Sequence, residues 1–191
     1  MIESLLNKDI ELFIFLNNLG TTQWDGFWLF VTNKFTAIPL YLLLLALAVK
    51  TVGVKRTLPI IVLVVLLITL SDQTSNYFKS GFQRLRPCHD ETLLGMFRLV
   101  KERCGGMYSY FSAHASNTMA IAIFFGMLLR NRSKLLFIFL IIWAMVVAYS
   151  RIYIGVHFPL DVLTGSIIGA FYGFIFYIVF KGIDGKFYQQ L

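Results

Sequence analysis

The stretch Ser150-Arg151-Ile152-Tyr153-Ile154-Gly155-Val156-His157-Phe158-Pro159-Leu160-Asp161 sets an arginine, a histidine and an aspartate where two very apolar segments meet. Charge at a membrane boundary is costly unless it is paired or used. His157 and Asp161 are four apart and share a face on a helix. Pro159 between them disfavours a helix interior but suits a first helical turn. The stretch therefore predicts a span ending near Ser150, a tight turn, and a new helix from about Phe158. His157 then lies at a helix N-terminus, where the dipole and free N–H groups attract anions. A carboxylate one turn on can hold the imidazole in one tautomer. Arg151 adds a permanent planar cation. Cation, nucleophilic nitrogen and orienting acid are the parts of a phosphate site.

The rest of the chain fits that boundary. Of 191 residues, 58% are hydrophobic and only 14% charged, with mean hydropathy +0.72. Soluble domains are nearer half apolar and a quarter charged. The composition predicts one integral membrane domain over 1–191, an all-α polytopic bundle of five to six hydrophobic helices plus an interfacial N-terminal helix. A net charge of +7 can signal nucleic acid. Here the basic residues sit in short loops between apolar runs, so topology and an anionic ligand explain them, not nucleic acid. The N-terminus lacks the basic start and apolar run of a cleavable signal.

Leu5, Leu6, Ile10, Leu12, Phe13, Leu16 and Leu19 have helical spacing, interrupted by Lys8, Asp9, Glu11 and Asn18. This predicts a helix lying in the membrane interface. Trp24 to Val31 is too short to span, so residues 1–34 are expected to be interfacial. The transmembrane core, 35–180, divides into spans at about Phe35–Val49, Leu58–Phe78, Ser112–Leu129, Leu135–Tyr149 and Pro159–Phe180. The second span ends in Asp72, Gln73, Thr74, Ser75 and Asn76, which should face protein or water. Gly165, Gly169 and Gly173 recur every fourth residue in the fifth, which predicts close helix packing. Loops 50–56 and 130–134 each carry three Lys or Arg and, with Lys181 and Lys186, are expected to be cytoplasmic. The long loop 79–111 and the Arg151 turn then lie on the outer face.

Two cysteines, Cys88 and Cys104, share that loop. Two readings stay open. A disulfide would close a loop of about 15 residues, worth roughly 3 kcal/mol in the chain-entropy model; the other reading is two free thiols. His89 beside them lacks the further ligand a zinc site needs. Arg84, Arg98, Lys101 and Arg103 read as loop charges, and Asp72 as a structural hydrogen-bonding group.

Topology brings three segments to one side of the membrane: Lys79 to Pro87, Phe111 to His114, and Ser150 to Asp161. Together they resemble the signature of the type 2 phosphatidic acid phosphatase superfamily, which also holds the vanadium haloperoxidases. That signature runs K-x6-R-P, P-S-G-H, S-R-x5-H-x3-D. Lys79, Arg86 and Pro87 match the first part, and Ser150, Arg151, His157 and Asp161 the third. In the second part Ser112 and His114 match, while Phe111 stands for the proline and Ala113 for the glycine. The resemblance covers about residues 60–180.

It implies that Lys79, Arg86, Ser112, Arg151 and the Ala113 backbone hold the phosphate. It further implies that His157 attacks phosphorus, Asp161 orients it, and His114 is the general acid and base. No metal or other cofactor is expected. The implied activity is hydrolysis of a lipid phosphate at an outward-facing site in a bacterial inner membrane. Undecaprenyl pyrophosphate is the favoured substrate; phosphatidate, phosphatidylglycerol phosphate and the phosphates of lipid A are the others. The rival readings are a vanadate-dependent haloperoxidase and a non-enzymatic anion or lipid transporter.

Overall fold

A computed structural model describes residues 2–187, with side chains described for 3–185. Seven α-helices account for most of them: α1 Ile2–Asn18, α2 Thr22–Thr32, α3 Ile38–Val52, α4 Val54–Phe82, α5 Ala113–Leu129, α6 Lys134–Tyr153 and α7 Pro159–Phe187. Two short 3-10 turns, Pro87–His89 and Glu91–Leu93, lie in the long loop, and no strand occurs among the described residues. The side chain of Lys186, expected at the cytoplasmic end, lies outside those described.

Helices α4, α6 and α7 are long and apolar enough to cross a membrane; α3 and α5 are apolar but shorter. At 1.5 Å per residue, α3 and α5 extend about 22–26 Å, near the hydrocarbon thickness. Leu42, Leu58, Val65, Ile142, Leu163 and Phe171 point outward, as lipid-facing side chains do. The protein is an integral membrane helix bundle.

α5 is the buried centre and packs most extensively on α7 and then on α6. The glycine series explains how. A Cβ at Gly165 would stand 2.5 Å from the Ser112 carbonyl oxygen. One at Gly169 would press on the Ser116 carbonyl and one at Gly173 on the Ala120 carbonyl. Glycines every fourth residue on α7 thus match residues every fourth position on α5, and the two backbones approach closely. This seam fixes the height of the α7 start against the α5 start, where Ser112 N–H donates to the Asp161 carbonyl at 3.0 Å.

The polar end of α4 turns inward as expected. Ser71 and Ser116 share a hydroxyl–hydroxyl hydrogen bond of 2.7 Å, and Ser75 donates to the Phe111 carbonyl at 2.9 Å. Asp72 accepts from the Asn117 amide at 2.9 Å. On α1, Asp9, Phe13 and Asn17 form one buried face. Asn17 donates to the carbonyls of Ile152 and Tyr153 and receives the Arg98 N–H, tying α1 to the end of α6 and to the long loop.

Helices α4, α6 and α7 run past their expected ends, α4 to Phe82 and α7 to Phe187. α6 continues past Ser150 to Tyr153, which places Arg151 inside its last turn. The terminator is Gly155, at φ +81°, where a Cβ would also meet the Arg98 carbonyl at 2.7 Å.

Candidate active site

Four helix ends converge at one end of the bundle. Lys79 lies in the last turn of α4. Ser112 caps α5, with its hydroxyl oxygen accepting from Ala115 N–H at 3.5 Å; Ala113 and His114 are the first helical residues. Arg151 is in the last turn of α6, His157 lies in the connection, and Asp161 is in the first turn of α7. Ala113 starts a helix and has the ordinary helical φ, so its Cβ introduces no strain where the family pattern has glycine.

His157 is 2% exposed and Asp161 fully buried. The histidine Nδ1 stands 3.4 Å from Asp161 Oδ2, which also receives the Phe158 N–H at 2.9 Å. Burial holds the imidazole well below its ordinary range, and the charges of Arg151, Arg86 and Lys79 push the same way. His157 is therefore neutral and keeps a lone pair. His114 lies within electrostatic range of His157, Arg151, Lys101 and Arg86.

The cations are held by neutral groups. Arg86 donates to the carbonyls of Cys104 at 3.1 Å and Tyr108 at 3.3 Å. Cys88 and Cys104 are joined as a disulfide, with Cα atoms 6.1 Å apart, and the bond closes the loop around Arg86. Arg151 is 4% exposed and donates through Nη1 to the Thr32 hydroxyl of α2. Its buried Nε has no hydrogen-bond partner among the described residues. A buried donor without a partner is costly, and an incoming oxyanion would satisfy it. Among the described residues, no three His, Cys, Asp or Glu side chains are grouped to hold a metal ion.

Beside His114 opens an apolar cavity of about 660 Å³ that runs between α3, α4 and α5. Ala113, His114 and Asn117 form its end at the site, and Ile60, Val64 and Phe125 line its length.

These observations decide the family. A family model described as the PAP2 superfamily matches residues 59–183. The chain belongs to the PAP2 superfamily. It is 36% identical over 181 residues to a lipid A 4'-phosphatase of Bacteroides thetaiotaomicron, covering 94% of this chain and 80% of that one. It is 28% identical over 177 residues to an undecaprenyl-diphosphatase of Sulfolobus acidocaldarius, covering 91% and 79%. Its fold matches the crystal structure of a transmembrane PAP2-type phosphatidylglycerolphosphate phosphatase from Bacillus subtilis with a TM-score of 0.70 at 21% identity, over 96% and 88% of the chains.

Every residue singled out from the PAP2 resemblance lies at this end of the bundle. Four others there escaped the sequence. Thr32 supports Arg151 from α2. Lys101, read as a loop charge, comes close enough to Arg151 and Arg86 for their charges, after burial, to lower its affinity for a proton. Arg84, also read as a loop charge, contacts both Asp161 and Asp9. Only Asp9 left a trace in the sequence: with Phe13 and Asn17 it forms an i, i+4, i+8 row of mixed polarity on an otherwise apolar helix.

Proposed function

We propose that the protein is a membrane lipid phosphatase that removes a phosphate monoester from lipid A, with the 4'-phosphate first in line. The observation that carries this reading is the cluster of Lys79, Arg86 and Arg151 around a buried, neutral His157, with an apolar cavity opening beside it. The cluster suits a phosphate dianion, and the cavity suits an acyl chain. Similarity to a lipid A 4'-phosphatase over nearly the whole chain moves the preference from undecaprenyl pyrophosphate to lipid A. The PAP2 undecaprenyl-diphosphatase is less similar and keeps that lipid second.

In this mechanism Lys79, Arg86, Arg151, the Ser112 hydroxyl and the free N–H groups at the start of α5 bind the three non-bridging oxygens. His157 attacks phosphorus as the bond to the sugar oxygen breaks. Asp161 keeps the imidazole oriented and stabilises the positive ring of the phosphohistidine. His114 gives its proton to the leaving oxygen, then takes one from the water that cleaves the P–N bond. Inorganic phosphate leaves and His157 is regenerated. The disulfide beside Arg86 suits an oxidising compartment, which supports an outward-facing site in a bacterial inner membrane.

The test uses protein purified in detergent with a chelator present. Lipid A, undecaprenyl pyrophosphate, phosphatidylglycerol phosphate and phosphatidate are offered to wild type and His157→Ala. Phosphate release is expected fastest from lipid A, with loss of the 4'-phosphate seen by mass spectrometry and no release by the variant. Faster release from undecaprenyl pyrophosphate would overturn the substrate assignment. Full activity in His157→Ala would overturn the nucleophile.

A further inference from the structure

Arg84 differs from the other cations at this end of the bundle because both ends of its guanidinium are taken by carboxylates. Nη1 donates to Asp161 Oδ1 at 3.0 Å, and Nη2 donates to Asp9 Oδ2 at 2.6 Å. Its Cζ lies 3.9 Å from the centre of the Phe158 ring, next in sequence to the nucleophile. Asp9 is itself buried, and its other oxygen receives the Leu160 N–H at 2.8 Å, a free donor of the first turn of α7. The Arg84 carbonyl accepts from Ser109 N–H at 2.8 Å. The mechanism above uses neither Arg84 nor Asp9.

We infer that Asp9 and Arg84 are positioning residues for the nucleophile. Asp9, on the N-terminal helix, fixes the Arg84 guanidinium, and Arg84 fixes the carboxylate of Asp161 against His157. The inference rests on the phosphohistidine reading of the site. A carboxylate can turn about its Cβ–Cγ bond. Asp161 is stopped from turning because Oδ1 is held by Arg84 while Oδ2 is held by Phe158 N–H and faces the imidazole. The charge arrangement is equally specific. One guanidinium shared by two carboxylates leaves a net negative charge. Asp161 is thus not fully neutralised by Arg84 and can stabilise the cationic ring that forms when His157 takes the phosphoryl group. Without Asp9, Arg84 would spend its whole charge on Asp161. Since both guanidinium ends are occupied, Arg84 is not a phosphate ligand, and its loss should leave substrate binding alone.

The experiment compares Arg84→Gln, Arg84→Lys, Asp9→Asn and His157→Ala with wild type, using the panel lipid that wild type hydrolyses fastest. The fraction of folded, monodisperse protein is measured for each, and rates are expressed per folded molecule. Arg84→Gln is expected to lower kcat about 10- to 100-fold at unchanged KM, with slower labelling of the phosphohistidine in single-turnover experiments. Arg84→Lys should recover part of that loss, and Asp9→Asn should cost less than Arg84→Gln. A merely structural role predicts fewer folded molecules with normal kcat, and that result would overturn the inference. A raised KM with normal kcat would also overturn it, by placing Arg84 on the substrate. If His157→Ala is inactive while Arg84→Gln keeps full kcat, the inference falls and the proposed function stands. If His157→Ala is as active as wild type, or wild type releases phosphate from none of the lipids, both fall.

Discussion

At one end of the bundle Arg151 is 4% exposed among neutral partners and a neutral histidine. At the other end Arg130, Arg132, Lys134 and Lys181 line an open cavity of about 690 Å³, near an ion pair of 3.3 Å between Arg56 and Asp184. The residue types are the same, yet what surrounds the charge differs. The exposed cluster lies in water, where an ion pair is worth little and ions screen each charge. The buried cluster is desolvated, so its field on a phosphate is strong, and its donors are aimed by helix ends. The active end also supplies a nucleophilic histidine held against a buried carboxylate, while the carboxylate of the opposite end, Asp184, is engaged by Arg56. Positive charge near a membrane therefore says little by itself; burial and converging helix ends turn it into a site.

The sharpest way to break this comparison is to keep the charge and change its shape. Arg151→Lys retains a cation but loses the planar fork that reaches Thr32 and points Nε into the site. A fall in kcat/KM of about 100-fold is expected, or roughly 2.7 kcal/mol of transition-state stabilisation. The counterpart, Arg130→Gln combined with Arg132→Gln, removes two charges from the other end and should leave kcat/KM within about twofold. Equal losses at both ends, in steady-state assays on one lipid, would mean that net charge rather than geometry drives catalysis.

Much of the active end was legible because its residues are bound to sequence spacing. His157 and Asp161 are one helical turn apart, Ser112 and His114 open a helix, and Lys79 and Arg86 flank a helix end. The apolar runs likewise placed the starts of the five core helices to within four residues, while α7 runs seven residues beyond its expected end. The glycine series of α7 was readable for the same reason, being a local pattern with one packing consequence. What stayed hidden is what depends on distant partners. Arg84 and Arg103 are alike as loop arginines, and only α1, some 75 positions upstream, brings Asp9 to the former. Thr32 acquires meaning only when α2 packs on α6. The extent of α6 was missed because Gly155, rather than the polar Ser150, stops the helix.

Acid should separate the ends by a smaller margin. His157, neutral through burial and nearby cations, has a folded value well below its unfolded value of about 6.5. The unfolded chain therefore binds a proton that the folded one refuses. This leaves stability intact above about pH 6.5 and erodes it progressively as the pH falls below that. Melting midpoints in detergent at pH 7.5 and 5.5 measure this. The acid loss should be smaller in His157→Gln than in wild type, and an equal loss would mean that the histidine does not contribute.

The seam between α5 and α7 links the two ends and allows a comparison within one helix. At Gly169 an added Cβ meets the Ser116 backbone carbonyl, which cannot rotate away as a side chain could. Gly169→Ala should therefore destabilise by about 1–3 kcal/mol, the usual cost of overpacking, despite alanine's better helix propensity. At Gly182, thirteen residues further along α7, a Cβ meets nothing within 4 Å. There only the propensity acts, and Gly182→Ala should raise stability by somewhat less than 1 kcal/mol. Thermal unfolding of the two variants side by side gives opposite signs if the seam, and not helix α7 as such, holds Asp161 at the height of Ser112. A loss of activity in folded Gly169→Ala, with none in Gly182→Ala, would carry the same conclusion to the chemistry.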